Sequence, residues 1–114
     1  MCKNHNSLRK DIKNYLNINI ADKPISYKVI SEQKHEEFTQ KLISFSVSEN
    51  DQIKAYLLIP EGEGPFPATL VHHQHNGERN YGKSEVCGLV GDQYQGFGPE
   101  LAQKGMVVLA PDSI

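Results

Sequence analysis

Three of the chain's five histidines fall within one short stretch, His72-His73-Gln74-His75-Asn76-Gly77-Glu78-Arg79-Asn80-Tyr81. His73 and His75 are two residues apart and would point the same way on an extended segment, as a pair of zinc ligands would. A metal centre also needs a third or fourth ligand and a supporting shell, and the sequence identifies neither. No metal and no cofactor is expected. The two cysteines, Cys2 and Cys87, lie far apart without CxxC spacing, so neither a disulfide framework nor a thiolate zinc site is indicated. Cys87 reads as a small packed residue, because a free buried cysteine behaves as a small hydrophobe.

The histidine stretch follows Phe66-Pro67-Ala68-Thr69-Leu70-Val71, a short apolar run bounded by Pro and Gly that reads as a buried strand, apolar on both faces and covered by helices on each side. Polar groups just past the carboxyl end of a strand in an open α/β sheet are candidate site residues. The segment from His72 to Gly98 holds most of the chain's glycines and few regular apolar repeats, so it reads mostly as loop. Pro99-Glu100-Leu101-Ala102-Gln103-Lys104, with Gly105 just beyond, carries helix start and stop signals, and Phe97 and Tyr94 extend its apolar face. Met106-Val107-Val108-Leu109-Ala110 is a second apolar strand, closed by Pro111-Asp112. Strand, loop, helix and strand in this order imply a βαβ crossover with the two strands parallel.

Upstream, Phe38 to Val47 alternates, with Ile43, Phe45 and Val47 on one face. Ser48 to Gln52 turns the chain, and Ile53, Ala55, Leu57 and Ile59 alternate again, which predicts an antiparallel hairpin. Pro60 to Pro65 is too rich in Gly and Pro for a strand interior. Before the hairpin, Leu8, Ile12, Tyr15 and Leu16 mark one face of a short leader helix capped by Asn6 or Ser7. Ile25 to Ile30 is expected to be extended, and Ser31 to Glu37 a solvated loop. The expected organisation is a helical and extended leader over 1–37 and an α/β unit over 38–114.

A length of 114 residues suits one small domain. Net charge is −2, with eight Lys/Arg against five Asp/Glu in residues 1–41 and four against nine in residues 42–114. That is well short of a clustered basic face, so nucleic acid is not an expected partner. No secretory h-region and no run of 18 apolar residues is present, which gives no membrane association and a cytoplasmic location by default.

The runs His72 to Arg79, Gly82-Lys83-Ser84-Glu85-Val86-Cys87-Gly88, Phe97 to Ala102 and Val107-Val108-Leu109-Ala110-Pro111-Asp112-Ser113 together resemble the N-terminal part of an α/β-hydrolase of the dienelactone hydrolase and acetyl-xylan-esterase-like group. The resemblance covers roughly the last two thirds of the chain. It implies an α/β fold in which the antiparallel hairpin and the βαβ crossover form the front of the sheet. It also implies a serine-type ester or acyl hydrolase whose substrate is a small ester. In that frame the backbone N–H of His75 is the oxyanion donor, and His73, Gln74 and Asn76 line the substrate. Gln74 stands where dienelactone hydrolases place a carboxylate, which favours a more general ester or acyl hydrolase.

The G-x-S-x-G turn that carries the nucleophile in this superfamily is absent from the chain, as are the acid and histidine that follow it. Ser84 and Ser113 lack the flanking glycines that such a strained turn requires, and Asp112 reads as a turn or cap residue. With no nucleophile strand beside it, the strand at Ala68 to Val71 is expected to have an unpaired edge. Such an edge calls for a partner, a second copy of the chain or further chain of its own. The alternative reading is a noncatalytic fragment or interaction module presenting that edge.

Overall fold

The structure, a computed structural model, describes residues 4–18, 24–73, 81–91 and 93–112. It is a mixed α/β fold with one five-stranded sheet. The leader helix α1 (His5–Tyr15) begins one turn earlier than expected: the side chain of Asn4 accepts the Ser7 N–H at 2.8 Å and is the cap, in place of Asn6 or Ser7. Asn4, Asn6 and Ser7 can all cap a helix, and the choice falls to the residue whose own backbone is extended (φ −67°, ψ 157°). The helix buries none of its residues. No helix among the described residues is long and apolar enough to cross a membrane.

β1 (Tyr27–Lys34) pairs antiparallel with β2 (Phe38–Ser46), and β2 with β3 (Gln52–Pro60) in unbroken register from Phe38↔Pro60 to Ser46↔Gln52. The predicted hairpin is thus present, closed by the Ser48 hydroxyl donating to Asp51 at 2.8 Å. The expectation of a loop from Ser31 is corrected, because strand continues to Lys34 and only His35 to Glu37 form the turn. These residues are polar and exposed as expected. They are extended because the amides of β2 need a ladder partner, and a charged strand at a sheet margin supplies one without inviting further pairing.

The chain then crosses to β4 (Ala68–Leu70) and passes through α2 (Lys83–Val86), a 3₁₀ turn (Gln93–Gln95) and α3 (Phe97–Gln103) to β5 (Val107–Pro111). Between His72 and Gly98 the described residues are mostly loop, as expected, interrupted by the short α2, the 3₁₀ turn and the start of α3. α3 ends where predicted, with Gly105 at φ +91° just past Lys104, a backbone geometry that glycine adopts without steric cost.

β4 and β5 are parallel, as the crossover requires, but the order in the sheet is β1-β2-β3-β5-β4. The later strand lies inside the earlier one and pairs antiparallel with β3. β4 is thereby left at the margin, bonded on one side through Val71 N–H to Leu109 (2.9 Å) and Val107 N–H to Pro67 (2.8 Å).

α2 and α3 cover one face of the sheet, over a core of Phe38, Leu58, Val86, Cys87, Ala102, Val108 and Ala110. A Cβ at Gly98 would stand 2.9 Å from the Val86 carbonyl, so glycine there sets how closely the two helices approach. On the opposite face Ile43 and Ala55 are buried, and Leu57, Ile59, Val107 and Leu109 are half-buried. The expectation that the strand at Ala68 to Val71 is covered on both faces is corrected: Leu70 is 66% exposed. The helices pack chiefly over β3 and β5.

Candidate functional site

Because β4 and β5 run parallel, their carboxyl ends bring two polar groups to one end of the sheet: His72-His73 after β4 and Asp112 after β5. This is where a ligand site in an open α/β sheet is expected. His72 is exposed and His73 is buried, with the two rings stacked at 5.1 Å between centroids. His72 Nδ1 lies 2.7 Å from the His73 carbonyl oxygen. A carbonyl only accepts, so Nδ1 carries a proton in this contact. Of the expected site residues, His73 is therefore placed at the sheet's carboxyl end, while Gln74, His75 and Asn76 lie outside the described residues. Ser113 does as well, and Ser84 sits within α2.

Asp112 organises the other side of this end. One carboxylate oxygen accepts the backbone N–H of Lys83, the first residue of α2, at 3.0 Å, and the other pairs with the Lys83 ammonium. The expected cap role is thus present in tertiary form: a residue 29 positions away satisfies one of the free N–H groups that open the helix. Its own N–H donates to the Lys54 carbonyl at 3.0 Å, which fixes the carboxylate against β3. The Lys83 ammonium also lies 5.5 Å from the centre of the Tyr56 ring, within range of a cation–π attraction. Gly82 permits this arrangement, with φ at +47° and a would-be Cβ only 2.6 Å from Asp112 Oδ1. The Lys83–Asp112 pair was not foreseen from the sequence. The only local signal was a glycine directly before the lysine.

Behind the clamp, Glu85 is a buried carboxylate in α2, and Gly91 (φ +72°) passes so close to it that a Cβ there would collide with Glu85 Oε2. Cys87 follows, and burial pushes its thiol from 9.0 up to about 12 despite the nearby Lys83 charge. A thiol so shifted stays protonated near neutral pH and is a poor nucleophile, in keeping with its place in the core. Among the described residues no three His, Cys, Asp or Glu side chains come together as a metal ion would require.

In sequence the chain is similar to a Bacillus subtilis (strain 168) protein named "Putative hydrolase YtaP", with 33% identity over 94 residues. The match takes in 79% of this chain and 31% of the relative, so the chain spans about a third of that protein's length. No protein-family model matches the chain. No solved structure matches it.

Proposed function

We propose that the chain is the front portion of a serine-type ester or acyl hydrolase of the dienelactone hydrolase-like kind. In this reading it contributes the oxyanion loop, with the His75 backbone N–H as donor and His73, Gln74 and Asn76 lining a small ester or acyl substrate. The triad nucleophile, acid and histidine come from sequence outside these residues. The observation that carries the reading is the strand order: parallel β4 lies outside β5 and runs straight into the histidine turn at the sheet's carboxyl end. The α/β-hydrolase sheet has this reversal at its front, and the partial similarity to a protein named as a hydrolase supports the same class.

The second reading, a noncatalytic module that pairs through its sheet edge with another copy, is favoured by the exposure of Leu70 on marginal β4. Hydrolysis of p-nitrophenyl acetate separates the two. The chain alone should show no turnover above a heat-treated control. A chimera in which it replaces the matching segment of the Bacillus subtilis relative should retain that relative's turnover. Within the chimera, His75→Pro removes the proposed donor and should cost about 100- to 1000-fold in rate, the usual cost of an oxyanion donor. His75→Ala keeps the N–H and should cost far less. A folded chimera without turnover beside an active relative, or equal mild losses from both substitutions, would refute the hydrolase reading.

A further inference from the structure

At the other end of the sheet lies a cleft of about 410 Å³. It opens between the β1–β2 turn, the segment after α2 and the flank of α3, and is lined by His35, Glu36, Glu37, Gln40, Pro99 and Gln103 among others. Gln40 pairs with Leu58, and Leu58 with Val108, while the turn at His35 to Glu37 lies further towards the amino end of β5. The cleft is thus remote from His73 and Asp112, and it sits across the sheet from the free edge of β4.

Its polarity is one-sided. Glu36 and Glu37 are exposed at the turn, and no lysine or arginine lines the cleft. Gln40 is the informative residue. It shares the helix-facing side of β2 with Phe38, where an apolar side chain would be the default, yet it is a polar residue only 6% exposed. No hydrogen bond of its side chain is found among the described residues. Beside it His35 Nε2 is buried with no partner among the described residues, its ring stacked on Phe38 at 4.6 Å. A buried imidazole nitrogen without a partner costs stability, and the unpaired Gln40 amide opens onto the cleft beside it, so both groups are placed where a ligand's donors would meet them.

We propose that this cleft binds a short aliphatic diamine. Its ammonium groups would meet the carboxylates of Glu36 and Glu37 and the Gln40 amide oxygen, all acceptors. Its methylenes would lie against Phe38, Leu89 and Pro99. The proposal does not rest on the hydrolase reading and is tested by binding alone.

The test is a ¹H–¹⁵N correlation titration of the full chain with 1,4-diaminobutane, with succinate and 1,4-butanediol as chain-length-matched anionic and neutral controls. Saturable shifts at Gln40, Gly88 and Gln103 with the diamine, and none with the controls, are expected. The Glu36→Gln/Glu37→Gln variant, changed only at exposed positions, should bind about tenfold more weakly. Gln40→Met removes the buried amide at nearly constant volume, so it should weaken binding while leaving the urea midpoint unchanged or raised. A lowered midpoint would mean that Gln40 serves the fold, and would overturn the proposal. Shifts that do not saturate, that succinate or butanediol reproduce, or that survive both variants would overturn it as well.

Discussion

Replacing Asp112 tests whether the carboxyl end of the sheet is held by the contact between β5 and α2. Asp112→Ala removes a charged acceptor from the Lys83 N–H, a bond worth about 1.5–3 kcal/mol. It also leaves the Lys83 ammonium, whose side chain is 13% exposed, over the Tyr56 ring without its carboxylate partner. The ion pair itself falls between the 0–1 kcal/mol of an exposed pair and the roughly 3–5 kcal/mol lost on breaking a buried one. Because the Asp112 side chain is 36% exposed, solvent screening pulls the figure to about 1 kcal/mol. The total loss expected for Asp112→Ala is therefore about 3 kcal/mol. Asp112→Asn retains a neutral acceptor for the N–H and should lose about half as much. With a urea slope of about 1.5 kcal/mol/M, the midpoints should fall by about 2 M for alanine and about 1 M for asparagine.

Gly82→Ala supplies the internal control. It adds backbone strain of about 1–2 kcal/mol and drives a methyl into the Asp112 carboxylate. In the Gly82→Ala/Asp112→Ala double variant the clash has nothing left to displace, so the two losses should fall short of additive by about 1 kcal/mol or more. Equal midpoint shifts for Asp112→Asn and Asp112→Ala, or strictly additive losses in the double variant, would refute the cap.

Two further outcomes follow from burial. The Cys87 thiol titrates near 12 in the folded chain and nearer its ordinary 9.0 when unfolded, so between those values the unfolded chain has released a proton that the fold retains. Its contribution to stability is complete below about pH 9 and is lost as pH rises towards 12. Urea midpoints should fall over that range and fall less in Cys87→Ala, and parallel pH profiles would show the thiol to be solvated. Leu58→Ala, at a side chain with no exposed surface, should cost about 2–5 kcal/mol. Leu70→Ala should stay within about 0.5 kcal/mol, and a large loss at Leu70 that grows with protein concentration would show that the β4 edge is covered by a second copy.

The parts of the fold that could be read from the sequence are those in which local pattern and tertiary demand agree. Ile43 and Phe45 against Ile53 and Ala55 gave the hairpin because alternation is both the strand's own geometry and the rule for a sheet with one covered face. Pro99 and Gly105 bracketed α3 because each answers a local backbone constraint. The first half of β1 was expected to be extended, but its second half escaped because residues 31–34 have no apolar alternation, and their extension comes from the ladder offered by β2. The exposure of Leu70 escaped for the converse reason. A short apolar run looks the same inside a sheet and at its margin, and only the strand order distinguishes the two. At the site, the position of His73 at a strand's carboxyl end was legible, whereas the link from Lys83 to Asp112 spans 29 residues and exists only because the crossover returns β5 beside β4.

That crossover makes β5 the strand on which the candidate site depends. Val71, just before the histidines, donates to Leu109, and Lys83, at the start of α2, is held by Asp112, directly after β5. Val71 and Lys83 are therefore both referred to the same strand, which is paired on both sides. β4 itself contributes three residues and a single neighbour, the kind of element that opens locally at low cost. A strand paired to the outer edge of β4 would steady His73 without moving the β5 anchors. The position of His73 is thus set from β5.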